Sequence, residues 1–328
     1  MLALAIILFS LGLFFIIKGG DVLVRAALSL NRVTGINPVI IGATFVAVAT
    51  TLPEVFVSIF AVAAGNHGIA VGNAIGSMIA NIALVLAISL AFMPTAVKRG
   101  EVFGKTLFLL LITLVVFLFA LNLKVSWYEG LILLAAFTVF LLLTARKSQG
   151  AEKPLPLTPL AKGETPQSAK KGAYLKIALG FVFGQLMLIA GAFALVENGE
   201  KLAHIFGISE TVIGFTIIAV GTSLPELTTA VMSIRRKSGG LAIGNVIGAN
   251  VINCTLLLGV CGIIGDIKGN ELPVSRETVF IAIPILFILT VIAVLPLLVR
   301  GRASRWQGVV LLGMYAAYIS YLMIAQPL

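Results

Sequence analysis

Charge is what this chain has least of. Lys, Arg, Asp and Glu together make up 11% of its 328 residues, against about a quarter in a soluble globular chain. Hydrophobic residues make up 59%, and the mean hydropathy is +1.12. That balance excludes a water-soluble domain, because so much apolar surface cannot be hidden in one core and the bilayer must serve as solvent. Histidine and cysteine are nearly missing too, with two of each. Cys254 and Cys261 lie seven apart in one apolar run, without the C-x2-C spacing of a metal site. They read as small buried residues, so the redox compartment is not legible from them. So little imidazole and thiolate argues against zinc or copper chemistry. Acids are scarce as well, 13 against 23 Lys and Arg, for a net charge of +10. The bases fall between apolar runs, so they read as topology signals and not as a nucleic-acid surface. The N-terminus lacks a basic n-region and an A-x-A-like cleavage site. Residues 2–24 are therefore expected to be the first membrane span and not a removed signal peptide.

What is present is a series of apolar runs long enough to cross a bilayer as helices. Ten are expected, at roughly 2–24, 37–63, 69–92, 105–122, 126–144, 174–198, 209–234, 241–264, 277–299 and 306–325. One stretch, 146–172, carries four prolines and six basic residues without apolar periodicity. It reads as a linker between two five-helix units, 1–145 and 173–328. The halves align without a gap at a shift of 172 residues. GATFVAVATTLPE, Gly42 to Glu54, falls on GFTIIAVGTSLPE, Gly214 to Glu226. GNAIGSMIAN, Gly72 to Asn81, falls on GNVIGANVIN, Gly244 to Asn253. The matching positions are polar residues, proline and glycine, which chance apolar similarity would not select. An odd number of spans per repeat brings the second repeat in from the opposite side. The expected fold is therefore an all-α membrane protein of ten transmembrane helices in two inverted five-helix repeats.

Most basic residues fall on one set of alternate loops. These include Lys18, Arg25, Arg32, Lys98, Arg99, the linker group, Arg235, Arg236, Lys237 and Arg300. The positive-inside rule makes that side cytoplasmic. The expectation is a multi-pass protein of the cell (inner) membrane with both termini outside.

Glu54 and Glu226 are the two acids inside the expected spans and away from their ends. A carboxylate there costs several kcal/mol unless it is paired or metal-bound, so it marks a functional site by default. A structural ion pair would need Lys or Arg at similar depth, and spans two, three, seven and eight offer none away from their ends. Each Glu follows Thr-(Thr/Ser)-Leu-Pro, and the proline is expected to kink or break its helix and free nearby carbonyls. Thr50 shares a helix face with Glu54, and Thr222 with Glu226. Asn81 and Asn253 are expected to face the same cavity, whereas the glycines at 72 and 244 read as packing residues. Oxygen-only ligands suit hard cations such as Na⁺ and Ca²⁺.

These paired segments resemble the two α-repeats of the cation/calcium exchanger superfamily, in its sodium/calcium exchanger branch. The resemblance implies Ca²⁺ exchanged for Na⁺ by alternating access, with no cofactor. It implies four ion sites in a diamond, with Glu54 and Glu226 shared between the two ions. By position it adds carbonyl or hydroxyl ligands from Ala47, Thr51 and Ser77, and from Ala219 and Ser223. The chain departs from the family pattern at Ala249, which lacks a hydroxyl, at Met78, where asparagine is frequent, and at Asn253, where some relatives carry aspartate. Gly76 and Gly248 stand where the proton/calcium branch often has an acid, which favours Na⁺. Ca²⁺/H⁺ exchange through the same carboxylates is the runner-up. A membrane enzyme finds no nucleophile or metal cluster near the interface, and a channel suits two inverted repeats poorly.

Overall fold

With no water in the hydrocarbon core, each segment must satisfy its own backbone groups, and the chain does so as helices. The computed structural model describes residues 2–94, 99–148, 166–205, 223–269 and 271–325. Its helices are α1 (Leu2–Thr34), α2 (Pro38–Ala63), α3 (His67–Phe92), α4 (Arg99–Ala120), α5 (Trp127–Ser148), α6 (Pro166–Ile205), α7 (Leu224–Arg235), α8 (Gly239–Ile267), α9 (Thr278–Arg300) and α10 (Arg305–Ala325). Among the described residues, eight helices are long and apolar enough to cross a membrane, namely α1 to α6, α8 and α9. Most of the seventh expected span lies outside the described residues. α1 runs ten residues past the expected end at 24, to Thr34. Arg25 and Arg32 end the apolar run without ending the helix, which stops where Gly35 takes a φ of +73°.

Two apolar clusters hold the helices together. The larger gathers residues of α2, α3, α4, α5, α8, α9 and α10, such as Met78, Ile79, Leu109, Phe140, Ile247, Leu257 and Leu289. The second joins α1 to α6 through Ile16, Leu23, Val24, Ile177 and Leu188, and meets α2 and α8 at Ile41 and Leu241. α1 and α6 touch backbone to backbone. A Cβ on Gly12 would lie 2.9 Å from the Gly191 carbonyl oxygen, and one on Gly19 2.8 Å from that of Gly184. Small residues are what permit such an approach when lipid supplies no hydrophobic drive between helices.

The contacts between the halves are reciprocal. The repeat maps Gly12 onto Gly184 and Gly19 onto Gly191, so each of these two pairs is the other with its halves exchanged. Gly130 of α5 packs on the Gly259 carbonyl of α8, 2.6 Å from where its Cβ would be. Gly308 of α10 packs on the Ala87 carbonyl of α3 at 2.5 Å, and Gly259 is the repeat partner of Ala87. α5 and α10 also begin alike, but at a shift of 178 residues, so the gapless shift of 172 expected from the sequence does not extend to these two helices. The Glu129 carboxylate accepts from the Ser126 amide at 2.8 Å, and the Gln307 side chain accepts from the Ser304 amide at 2.8 Å. Both capping contacts satisfy a backbone donor that the helix start leaves free. In α3 and α8 a π-helical turn starts on matching asparagines, at Asn81–Leu86 and Asn253–Leu257.

Short loops fix which ends lie together. Lys124–Val125 (β1) pairs antiparallel with Leu272–Pro273 (β2), and Lys124 forms an ion pair with Glu271. The ammonium holds the Glu271 carboxyl below its ordinary range. The Lys268 ammonium donates to the Ala63 carbonyl. The α2–α3, α4–α5 and α8–α9 connections therefore share one face. At the other end, Asp21 of α1 binds both Arg25 and Arg236, which follows α7.

Candidate functional site

α2 and α8 cross where neither carries side-chain bulk. A Cβ on Gly42 would lie 2.4 Å from the Leu241 carbonyl oxygen, on Gly244 2.3 Å from that of Val39, and on Gly248 2.5 Å from that of Ala43. Gly244 is thus the packing residue expected. Residues 211 and 215, which the repeat would set against Gly72 and Gly76, are outside the described residues. Pro53 does not break its helix. α2 continues helically from Ala47 through Pro53 to Ala63, and its irregularity is a π turn upstream at Gly42–Val46. Neighbouring helices and hydroxyls can absorb the acceptor that a proline frees inside a membrane. α7 places Pro225 in its first turn, where the missing donor costs nothing.

This crossing brings the two repeat motifs together. The Thr50 hydroxyl lies 3.3 Å from Asn245 Oδ1 and 3.4 Å from the Ala47 carbonyl. The Thr51 hydroxyl donates to Glu226 Oε1 at 3.4 Å. Thr51 precedes Glu54 by three residues on α2, so this bond brings the two acids to the same crossing, and both are buried, at 1% and 0% exposure. The π turn at Asn81 packs against α7, which carries Glu226, and the π turn at Asn253 packs against α2, which carries Glu54.

The helices bearing the acids are held by their backbones. Asn73 Nδ2 donates to the Glu54 carbonyl at 3.1 Å and to the Ser58 hydroxyl at 2.9 Å. In the second repeat the Thr229 hydroxyl donates to the Glu226 carbonyl at 2.9 Å, and Asn245 Nδ2 donates to Thr229 at 3.0 Å. Apart from Glu226 Oε1, which accepts from Thr51, the acidic oxygens stay free. Among the described residues no partner reaches Glu54 Oε1 or Oε2, Glu226 Oε2, Ser223 Oγ, or the side-chain oxygen and nitrogen of Asn81 and Asn253. Neither carboxylate has an ion-pair partner among the described residues. Leaving so many polar atoms dry and unpaired is costly. Hard cations would repay that cost by taking the same oxygens as ligands, so the residues present fit such a guest.

The structure therefore brings together Glu54, Glu226, Thr50, Thr51 and Ala47, and Ser77, Asn81, Ser223 and Asn253 are buried as well. Ala219 and Thr222 lie outside the described residues. Ser58 and Thr229, which help fix the backbone under the acids, were not singled out in the sequence. Their signal was a hydroxyl four residues after Glu54 and three after Glu226, on the acid's own face. At Met78 the backbone carbonyl accepts from Asn250 Nδ2 at 3.2 Å. Ala249 is fully buried and adds no oxygen.

The family model described as sodium/calcium exchanger protein matches residues 4–146 and 176–324. The inner membrane protein YrbG of Escherichia coli is 32% identical over 99% of this chain and 98% of its own length. The sodium/calcium exchanger MaX1 of Methanosarcina acetivorans is 29% identical over 97% of this chain and 98% of its own. A solved structure of the sodium-calcium exchanger NCX_Mj, soaked with Na⁺ and Sr²⁺, superposes with a TM-score of 0.83 at 29% identity, covering 98% of this chain and 99% of that one.

Proposed function

The chain belongs to the sodium/calcium exchanger protein family, and from that premise we propose that it exchanges Ca²⁺ for Na⁺ across the cell membrane at the buried Glu54–Glu226 site. The observation that carries this is the set of unpartnered oxygens on two carboxylates with no basic residue paired to them. A formal charge of −2 is balanced by one Ca²⁺ or by two Na⁺, so either ion can fill the site and neither is needed alongside the other. Thr50, Thr51, Ala47, Ser77, Asn81, Ser223 and Asn253, with Thr222 and Ala219 by the repeat, complete the oxygen set.

The reciprocal contacts support two inverted five-helix repeats, 1–145 and 173–328, joined by the 146–172 linker, and the charge bias of the loops supports both termini outside. Two halves that exchange roles give a second arrangement of similar energy, open to the other side. Alternating access around a fixed site follows from that equivalence.

The test is Ca²⁺ flux in reconstituted vesicles under separate Na⁺, H⁺ and K⁺ gradients. A Na⁺ gradient alone is expected to drive Ca²⁺ movement. Uptake driven by a pH gradient without Na⁺ would instead assign H⁺ as counter-ion. Glu54→Gln and Glu226→Gln each halve the charge facing Ca²⁺ in a desolvated site, and each is expected to lower flux by about 100-fold or more. Normal flux in either folded variant would remove the carboxylates from the site.

A further inference from the structure

We propose that the seam between α1 and α7 is a binding site for the headgroup of an anionic phospholipid. Ile17, Lys18 and Asp21 of α1, with Met232, Arg235 and Arg236 from the end of α7, line a cavity of about 420 Å³. It is the size of a small polar headgroup and lies apart from the carboxylates. Three of its walls are cationic and one is acidic. Asp21 is already committed to Arg236 and Arg25. Among the described residues, Lys18 and Arg235 have no carboxylate partner, so two positive charges face the cavity uncompensated. A phosphodiester supplies the missing negative charge, and a guanidinium beside an ammonium is a pairing that phosphate oxygens accept readily.

The surface above the cavity separates a lipid from a free anion. Ile7, Leu11 and Phe14 stand on one face of α1 with Lys18, at helical spacing, and all three apolar side chains are exposed. The Lys18 ammonium sits 5.9 Å from the Phe14 ring centre, at the foot of this stripe. From Ile7 to Lys18 the helix rises about 16 Å, close to half the roughly 30 Å hydrocarbon thickness. An acyl chain can lie along the stripe while its phosphate rests in the cavity. Basic pockets between membrane helices bind lipid headgroups through this combination of charge and apolar approach. Such a lipid would bridge α1, from the smaller apolar cluster, to the helix that carries Glu226.

The test does not depend on transport. The purified full chain is examined by native mass spectrometry with dioleoyl phosphatidylglycerol, dioleoyl phosphatidylcholine or water-soluble glycerol phosphate. Phosphatidylglycerol is expected to be retained about tenfold over phosphatidylcholine, a difference of about 1.4 kcal/mol. Lys18→Gln and Arg235→Gln are each expected to weaken that retention several-fold. Lys18→Arg and the distant Arg300→Gln are expected to leave it unchanged. A photoactivatable phosphatidylglycerol is expected to label the wild-type chain at residues 14–21 and 232–236, which keeps the proposal testable if a glutamine variant misfolds. Equal retention of the two lipids, labelling elsewhere, or retention untouched by the folded Lys18→Gln/Arg235→Gln double variant would overturn it. Displacement of phosphatidylglycerol by glycerol phosphate at comparable concentration would show a free-anion site and overturn the lipid assignment.

Discussion

Asn253 decides the charge count of the site. Its side chain is wholly buried, and neither its oxygen nor its nitrogen has a partner among the described residues. An amide offers an oxygen without a charge, so one Ca²⁺ already balances Glu54 and Glu226. A K⁺ bound beside it would be uncompensated in a dry site. With a fixed Na⁺ gradient, Ca²⁺ flux is expected to agree within about twofold when K⁺ is replaced by an inert organic cation. Asn253→Asp adds a third negative charge and is expected to make flux depend on which monovalent ion is present, while leaving the protein folded. An absolute K⁺ requirement in the wild type would refute the count. The acids were legible in the sequence because a charge inside an apolar run has no cheap structural explanation. Ser58 and Thr229 were not legible in the same way. A hydroxyl in a helix can satisfy itself on a carbonyl one turn back, as Thr106, Thr113 and Thr229 itself do, and only tertiary structure shows that Ser58 and Thr229 also accept from Asn73 and Asn245.

At the scale of elements, composition located the apolar runs, because a bilayer demands length and apolarity that few other segments have. It missed what depends on hydrogen-bond register. The π turns at Asn81 and Asn253 leave no mark in hydropathy, and neither does the one at Gly42. The proline signal allowed for a break at Pro53, where α2 instead stays helical. Helix ends were also blurred, because α1 carries its arginines beyond the apolar run without unwinding. The glycines of α1 and α6 offer a test of packing. Gly19→Leu forces a side chain against the Gly184 carbonyl and the Leu188 amide, both rigid backbone. It is expected to cost about 1–3 kcal/mol and to lower the thermal midpoint in detergent. Gly313→Ala, at an exposed position of α10, is the control and is expected to leave the midpoint unchanged. Equal midpoints for both variants would mean that α1 and α6 do not depend on this close approach.

For the whole molecule, orientation is the feature open to direct measurement. The α8–α9 connection shares a face with the α2–α3 connection, and Arg236 lies at the other end. Lys268→Cys is expected to react with an impermeant thiol reagent from outside intact cells, and Lys237→Cys only after permeabilisation. The native Cys254 and Cys261 are buried and give little background. The reverse pattern would invert the reading of the charge bias. The reciprocal packing also bears on how the protein is made. α1 rests on α6, α2 crosses α8, α5 leans on α8, and α3 receives α10. Each of these pairings joins a helix of the first half to one translated after the linker. While the ribosome is still building the second half, the first five helices wait in the bilayer without these partners, and Glu54 without the second-half helices that cover it. The first half made alone is therefore expected to be degraded faster than the complete chain. Conversely, the two halves synthesised as separate polypeptides carry complementary surfaces through which to find one another.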